Sequence, residues 1–439
     1  MSQSLFWDPM IETLPRAQIE SLQGMRLVRQ VDWVYHNSEF YRQWYSRAGI
    51  SPNDIHGLSD LTKLPTMSKD DLREWRKKTH DPFSGTLCVP PKLLVRMHHS
   101  TGTSGLPNVY GLTQKDWDDV TDQFARMLYR VGIRSGDVTN NWLESAMSWH
   151  GFTMTAPGAR RIGATVYSLE PDNRSIAQTN LEMLAGADMT CLFTYHPEFE
   201  INYLRQRDLD PKTVHPNLRF IYSAALTTPT RRKLLEEAWG VPYWNMGGGG
   251  DQYLSESECP YSIPSMHMPE DRTIVEVLDP VTHEPVEPGQ EGELTVTNLW
   301  AEACPYLRYR LEDIVRADYN SCPCGSTHVR LTYRGRMAWS VEVGGVRVFS
   351  DDVENVLWRF PATEFAQYQL VKSPVQPQPR LIVRTTRHAD RIHDEVRFVS
   401  QLEDAIAEEL QVPTTVQLVN PGQIGIGTVK FQRVAVESV

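Results

Sequence analysis

The sequence predicts an α/β fold made of a large multi-layer α/β domain followed by a small α+β domain. Between about residues 90 and 335, short β-rich runs alternate with amphipathic helices, which is the pattern of strands and helices packed in layers. The pattern changes after Arg334, where about 105 residues read as short strands and two helices. A chain of 439 residues has room for two or three domains. We therefore expect one domain over residues 1–334 and a second over residues 335–439.

The N-terminal region reads as helices broken by turns over residues 11–80. Its first long helix has an apolar face formed by Ile19, Leu22, Met25 and Val28. A clearer helix begins at Thr113, because Thr113 and Asp116 have the spacing of a capping box. Apolar residues then recur every three or four positions, at Trp117, Val120, Phe124, Leu128 and Val131. This stripe predicts that the helix packs against the core.

Several β-rich runs of the first domain are candidate strands, namely Leu93–Met97, Ala164–Leu169, Phe220–Ala225, Ile274–Leu278 and Leu294–Leu299. Because these runs are interleaved with helices, we expect a largely parallel sheet that is covered on both faces. In the second domain, helices are predicted from Asp351 and from His393 to Leu410. Strands are predicted there at Gln367–Val371, Leu381–Val383 and Thr415–Val419.

The charge balance excludes some classes of partner. There are 44 Lys and Arg residues against 55 Asp and Glu residues, and no basic cluster, so nucleic acid and anionic membranes are poor candidates. No stretch approaches the 18 apolar residues of a membrane span, and the N-terminus lacks the basic and apolar regions of a secretory signal. Six cysteines are too few for a disulfide scaffold in so long a chain. We expect a cytoplasmic protein with reduced thiols.

A Gly/Ser/Thr-rich loop lies between a candidate strand and the helix that begins at Thr113. It contains Ser100, Thr101, Gly102, Thr103, Ser104 and Gly105. Two glycines allow backbone N–H groups to turn inward, and four hydroxyl groups surround them, which is typical of a phosphate-binding loop. The alternative is a polar surface turn.

This loop resembles the S-S-G-T-T-G-K-P signature of adenylate-forming enzymes, the acyl- and aryl-CoA synthetase superfamily. More narrowly, the chain is similar to phenylacetate–coenzyme A ligases in its opening, Phe6-Trp7-Asp8-Pro9, and in several later motifs in register to about residue 434. The resemblance implies ATP-dependent activation of an aromatic carboxylic acid, of hydroxy- or aminobenzoate type, as an acyl-adenylate. It also implies Mg²⁺ as cofactor, a mobile C-terminal lid and a homodimer as the family's habit.

The resemblance assigns roles to individual residues in this chain. Asp313, the last residue of Arg308-Tyr309-Arg310-Leu311-Glu312-Asp313, is implied to hold the ribose hydroxyls, and Arg336 to lie near the ribose or phosphate. Lys430 is implied to serve adenylation, and Asp251 is the carboxylate nearest to the family's Mg²⁺-binding Glu. The nucleotide is further expected to contact Ser223, Ala224, Ala225, Met246 and Gly247.

The same resemblance implies an apolar pocket for the acid. Its expected lining is Trp149, His150, Gly151, Phe152, Tyr195, His196, Gly248 and Gly249. Glycines at 247–250 remove side chains beside the substrate, which suits a flat ring. His150 or His196 could bond a ring hydroxyl or amine, and the alternative for each is a satisfied structural histidine.

A structural Zn²⁺ site is also implied by the resemblance. Its ligands are Cys259, His267, Cys322 and Cys324, which together supply three sulfurs and one nitrogen. The alternatives are buried free cysteines, or His328 as a competing ligand. The other cysteines, Cys88, Cys191 and Cys304, are expected in the core.

Two departures from the family pattern leave alternatives open. Leu106 occupies the position of the loop lysine, and Ala338-Trp339 replaces the hinge Asp pair. The acyl acceptor is therefore either coenzyme A or an amine or hydroxyl of a second small molecule. The alternative function, of another class, is a non-catalytic nucleotide-binding scaffold of the same fold.

Overall fold

The computed structural model describes residues 4–99, 108–141, 150–168, 181, 183–194, 197–224, 227–247, 253–373, 378–424 and 433–436. The helices are α1 Pro9–Glu12, α2 Arg16–Asn37, α3 Glu39–Arg47, α4 Lys69–Thr79, α5 Gln114–Val131, α6 His150–Ile162, α7 Pro197–Gln206, α8 Pro211–Val214, α9 Pro229–Trp239, α10 Ser350–Leu357 and α11 Glu395–Leu410. Short 3₁₀ turns join some of them, as at Leu58–Lys63 and Met337–Trp339. No helix in these ranges is long and apolar enough to cross a membrane.

Helix α5 begins and ends where the sequence predicts. Its capping box is formed, since the Thr113 hydroxyl accepts from the Asp116 N–H and the Asp116 carboxylate accepts from the Thr113 N–H, both at 3.1 Å. It stops at Gly132, whose φ of 112° ends the helix in a conformation that glycine adopts without strain. Along the predicted stripe, Val120, Phe124 and Leu128 are buried.

The buried face of α2 differs from the prediction. Ile19 is buried, but Met25 is 64% exposed. The face that packs against the core contains Gln23 and Gln30 as well as aliphatic residues. The Gln23 amide donates to the Glu270 carbonyl at 2.9 Å, and the Gln30 amide donates to a loop carbonyl at 2.8 Å. Because both amides are hydrogen-bonded, these two polar side chains can be buried, which the spacing of apolar residues did not predict.

The first thirteen strands are β1 Arg96–His99, β2 Val109–Leu112, β3 Val138–Asn141, β4 Thr165–Ser168, β5 Cys191–Phe193, β6 Phe220–Ser223, β7 Tyr243–Gly247, β8 Glu256–Ser257, β9 Met266–His267, β10 Thr273–Leu278, β11 Glu291–Asn298, β12 Tyr309–Asp318 and β13 Arg330–Arg336. All five predicted strands of this region are present, but the first is displaced, because residues 91–93 form a 3₁₀ turn.

Nine of these strands form one sheet in the order β10-β11-β12-β13-β9-β8-β7-β6-β5. In it, β5, β6 and β7 are parallel, whereas every pairing from β7 through β8, β9, β13, β12 and β11 to β10 is antiparallel. The expectation of a largely parallel sheet is therefore wrong for this sheet. Parallel neighbours need a crossover, usually a helix, and the described chain beyond β7 contains no α-helix before α10.

The C-terminal elements form a second, smaller group. The remaining strands are β14 Ser340–Val343, β15 Val346–Phe349, β16 Tyr368–Lys372, β17 Leu381–Thr385, β18 Thr414–Leu418 and β19 Val434–Val436. The last four form a sheet in the order β18-β17-β16-β19, next to helices α10 and α11. Helix α10 joins this group to α9, because the Thr230 hydroxyl donates to the Asn355 carbonyl at 2.8 Å.

Candidate active site and metal centre

Asp313 and Arg336 face each other across strands β12 and β13. Their Cα atoms are partners in the antiparallel register. Arg336 Nε lies 2.8 Å from Asp313 Oδ1, and Arg336 Nη2 lies 3.2 Å from Asp313 Oδ2. Asp313 is 8% exposed, so this carboxylate sits in a sheltered position with its charge matched. A carboxylate held in this way keeps lone pairs free to accept from a diol.

Two further groups of predicted site residues lie at the carboxyl ends of two neighbouring parallel strands. Ser223 ends β6 and Gly247 ends β7, and Ser223 pairs in register with Asn245. Since parallel strands point the same way, Ser223 and Ala224 emerge at the same edge of the sheet as Met246 and Gly247. Ligands of open α/β sheets bind beyond the carboxyl ends of such strands.

Glu256 and Tyr333 connect these two parts of the sheet, and no sequence motif pointed to them. Glu256 opposes Gly247 across β7 and β8, and its Oε1 accepts from the Tyr333 hydroxyl at 2.5 Å. Glu256 is 3% exposed. Burial raises the pKa of Glu256 to about 8, the nearby charge of Asp313 raises it as well, and the Tyr333 hydrogen bond opposes both. In the sequence, this acid is one of two in Ser255-Glu256-Ser257-Glu258, and nothing local marks it.

The four predicted metal ligands come together. Their ligand atoms all lie within 4.8 Å of one another. Cys259 follows β8, His267 is on β9, and Cys322 and Cys324 are in the turn between β12 and β13. Cys259 Sγ is 3.7 Å from Cys322 Sγ, and Cys324 Sγ is 3.7 Å from His267 Nε2. Tetrahedral zinc with bonds of about 2.3 Å to sulfur has S···S edges of about 3.8 Å, so this set fits the ion.

Without an ion, the cluster is only partly in the form that binds a metal. Hydrogen bonding with Cys259 raises the pKa of the Cys324 thiol and burial raises the pKa of the Cys322 thiol, so Zn²⁺ would displace both protons on binding. Hydrogen bonding from Cys324 and His267 lowers the pKa of the Cys259 thiol, so a thiolate forms readily. Burial lowers the pKa of His267 to about 4, which keeps its imidazole neutral. Thiolate and neutral imidazole are the forms that bind Zn²⁺.

His328 does not compete for this site. Its Nδ1 accepts from the Glu270 N–H at 3.0 Å, and its Nε2 lies 3.0 Å from the Ile11 carbonyl. Cys88, Cys191 and Cys304 are buried in the core, as predicted. At these positions, burial raises the pKa of Cys191 and of Cys304 to about 12, so both remain neutral thiols.

Many predicted site residues lie outside the described residues. They are Ser100, Thr101, Gly102, Thr103, Ser104, Gly105, Trp149, Tyr195, His196, Ala225, Gly248, Gly249, Asp251 and Lys430. His150, Gly151 and Phe152 begin helix α6. Strands β1 and β2, which precede and follow the phosphate-loop candidate in the sequence, pair antiparallel.

Comparison with known proteins gives curated relatives, although no family model matches the chain. A phenylacetate–coenzyme A ligase of Thermus thermophilus is 32% identical over 376 residues, which are 84% of this chain and 81% of that protein. The phenylacetate–coenzyme A ligase of Escherichia coli is 29% identical over 438 residues, 95% of this chain and 94% of that protein.

Solved structures share the α/β fold. A 2-hydroxyisobutyryl-CoA ligase in the postadenylation state matches with a TM-score of 0.90 at 22% identity, covering 99% of this chain and 93% of that chain. An anthranilate CoA ligase in complex with anthranoyl-AMP matches with a TM-score of 0.59 at 18% identity, covering 77% of this chain and 65% of that chain.

Proposed function

Because the chain belongs to the phenylacetate–coenzyme A ligase family and is an AMP-forming ligase, we propose that it activates an aromatic carboxylic acid with ATP and transfers the acyl group to coenzyme A. We take hydroxy- and aminobenzoates as the substrate class. The glycine run over residues 247–250 supports a flat ring, since it removes side chains at the end of β7. A relative in fold, the anthranilate CoA ligase, is named for an acid of this class.

In the first step, a carboxylate oxygen of the acid attacks the α-phosphorus of ATP, the bond to the bridging oxygen breaks, and pyrophosphate leaves. In the second step, the coenzyme A sulfur attacks the acyl carbonyl, its proton is released, and AMP leaves. Because the first step concentrates negative charge on phosphate oxygens, preorganised donors and cations should dominate catalysis. We assign these roles to the loop of residues 100–105 and to Lys430.

The pairing of Asp313 with Arg336 is the observation that supports this function best. These are the two residues to which the family resemblance gives the ribose, and they are direct neighbours across β12 and β13. A buried, charge-matched carboxylate at this position supports binding of a nucleotide, and release of pyrophosphate distinguishes an active ligase from a nucleotide-binding scaffold. Mg²⁺ neutralises phosphate charge in such reactions, and Asp251 is the residue that we assign to hold it.

We propose that the chain divides at residues 334 and 335 into an adenylation domain and a C-terminal lid that contains Lys430. Strand β13 and the 3₁₀ turn Met337–Trp339 lie at this boundary, which suits a hinge. We also propose that Cys259, His267, Cys322 and Cys324 hold a structural Zn²⁺ within the first domain. The distances within the cluster and the lowered pKa values of Cys259 and His267 support this proposal.

The first experiment is acid-dependent release of pyrophosphate with Mg·ATP, followed by detection of the coenzyme A thioester. The panel contains phenylacetate, benzoate, hydroxybenzoates, aminobenzoates, cinnamate and 2-hydroxyisobutyrate. We expect release with one type of aromatic acid and a thioester when coenzyme A is added. Release only with 2-hydroxyisobutyrate would refute the aromatic assignment. Adenylation without a thioester would favour an amine or hydroxyl acceptor, and ATP binding with no release would favour the scaffold.

A single variant tests the catalytic assignment. Lys430→Ala should lower the rate of adenylation by about 10²–10³, the scale expected for the loss of one preorganised charge-stabilising group. Lys372→Ala, in strand β16 of the same C-terminal group, is the matched control and should adenylate like the wild type. A wild-type rate in Lys430→Ala would remove Lys430 from the mechanism.

A further inference from the structure

Glu256 is a buried acid that neither the proposed chemistry nor the metal cluster uses. It is 3% exposed, in a strand of only two residues. Its Oε1 accepts from the Tyr333 hydroxyl, and its Oε2 is buried without a hydrogen-bond partner among the described residues. None of its contacts in the described chain is with a cation. An ionised carboxylate in such a place would be expensive, so the geometry favours the neutral acid.

Neighbouring residues on both sides of Glu256 fix the position of its side chain. A Cβ on Gly247 would lie 2.5 Å from Glu256 Oε1 and 2.7 Å from its Cγ, so only glycine leaves room for this side chain. On the other side, β9 is two residues long, and Tyr333 on β13 reaches past it to Glu256 on β8. The carboxyl group therefore links the start of the glycine run to the strand that ends in Arg336.

Within the described ranges, the titratable groups that face Glu256 are Tyr333 from β13 and Asp313 from β12. Gly247, from β7, adds no charge. Arg336 pairs with Asp313, because its Nε and Nη2 both donate to that carboxylate. Ionisation of Glu256 would place a second negative charge near Asp313, whose own charge is already matched by Arg336.

We propose that Glu256 is a positioning residue of the nucleotide site that acts as a neutral carboxylic acid, holding Tyr333 and the end of β7 so that Asp313 and Arg336 can receive the ribose of ATP. This inference rests on the proposed function, since it takes Asp313 and Arg336 as the ribose-binding pair. It extends that function by naming a residue outside the family motifs and the protonation state in which this residue works.

The test compares wild type with E256A and E256Q. At pH 7, E256A should bind Mg·ATP about tenfold more weakly, because the side chain that links β8 to Tyr333 of β13 is lost. E256Q, which keeps the shape and neutrality of the protonated acid, should restore binding. From pH 7 to pH 9, the wild type should lose affinity by about three- to tenfold as Glu256 ionises, and E256Q should not.

Thermal unfolding without nucleotide gives a second readout. The folded protein keeps a proton on Glu256 between its ordinary pKa of 4.5 and its raised value of about 8, whereas the unfolded chain has released it. Wild-type stability should therefore fall as pH rises through this window, relative to E256Q. The difference between the two melting temperatures isolates this one group.

The outcomes separate this inference from the proposed function. If wild type and E256Q lose ATP affinity in parallel, or neither loses it, and their melting temperatures share one pH dependence, the role of Glu256 is refuted while ATP binding stands. If wild type binds no Mg·ATP at any pH, both the proposed function and the role of Glu256 in nucleotide binding are refuted. E256Q that binds as weakly as E256A at pH 7 would show that the ionised form is needed, which also overturns the proposal.

Discussion

Arg336 meets Asp313 with the two-pronged geometry of a guanidinium on a carboxylate, through Nε at 2.8 Å and Nη2 at 3.2 Å. The same two strands carry a second pair, Arg330 with Asp318, five residues farther along β12. The Asp318 side chain is 42% exposed, whereas that of Asp313 is 12% exposed. The two arginines show the opposite order, since the Arg330 side chain is 13% exposed and that of Arg336 is 30% exposed. One sheet ladder thus holds two Arg–Asp pairs that differ in which partner is sheltered.

This arrangement makes a matched test of the nucleotide site. D313A should lower kcat/KM for ATP by about 10²-fold, because it removes hydrogen bonds to the ribose and leaves Arg336 without its carboxylate. D318A should change kcat/KM by less than about twofold, since Asp318 lies at the other end of the ladder from the proposed ribose-binding pair. Steady-state kinetics at saturating acid measures both. Equal effects of the two substitutions would mean that Asp313 serves only the stability of the ladder.

The metal centre predicts one zinc per chain in protein purified without chelator. C324S should lose the zinc and lower the melting temperature, since a structural zinc site contributes about 10–16 kcal/mol of binding free energy in small peptides. C191S, at a buried cysteine in β5 outside the cluster, is the control and should retain the metal even if it is less stable. Elemental analysis together with thermal unfolding decides the matter, and metal-free wild type of normal stability would exclude the site.

His215 predicts a loss of stability in acid. It is 4% exposed, packs near Trp239, and has no hydrogen-bond partner for either ring nitrogen among the described residues. Burial lowers the pKa of His215 to about 4, from an ordinary 6.5. Between these two pH values, His215 is protonated in the unfolded chain and neutral in the folded protein. The free energy of unfolding therefore falls as pH falls through this window.

The measurement compares wild type with H215F, which keeps the ring and cannot be protonated. Between pH 7.5 and 5, the wild type should lose about 2 kcal/mol more free energy of unfolding than H215F, by denaturant titration. H36Q, at a largely exposed histidine of α2, should follow the wild type. The same pH dependence in H215F and wild type would show that His215 is not responsible.

Glu354 predicts a large stability effect at the contact between α9 and the C-terminal elements. Its carboxylate accepts from Tyr368 at 3.1 Å and lies 3.6 Å from Arg231 of α9 and 3.4 Å from Arg433. The side chains of Glu354 and Arg231 are 3% and 4% exposed. E354A should therefore cost about 3–5 kcal/mol, because it removes a buried carboxylate that faces two arginines and accepts from the Tyr368 hydroxyl.

The control for Glu354 is Glu409, which pairs with Arg359 in the same C-terminal group at 2.9 Å, with both side chains more than 40% exposed. E409A should cost less than about 1 kcal/mol of unfolding free energy. Denaturant unfolding of the whole chain measures both variants. A cost for E354A no larger than that for E409A would mean that this contact does not hold the C-terminal elements in place.

Local signals were sufficient for several elements of the fold. The capping box at Thr113 and Asp116 is formed, and the C-terminal helices begin within two residues of the predicted positions. Such signals depend on residues within a few positions of one another, so the sequence displays them directly. The face of α2 could not be predicted in this way, since the burial of Gln23 depends on the Glu270 carbonyl, about 250 residues away.

The family motifs in the sequence point to Asp313 and Arg336, and they also point to the candidate metal ligands Cys259, His267, Cys322 and Cys324. The fold brings the members of each of these two groups together. The loop of residues 100–105, Asp251 and Lys430 lie outside the described residues, and their roles stay predictions.

The sequence by itself determined the α/β class, the caps and stripes of single helices, and the residues that the family pattern marks. Only the tertiary structure decided that β8 to β13 join the parallel strands β5 to β7 as antiparallel neighbours. It also decided that Tyr333 meets Glu256 against Gly247. The physical reason is that helix periodicity and capping arise between near neighbours in the chain, whereas strand order and the environment of a buried acid arise from segments that meet only when the chain has folded.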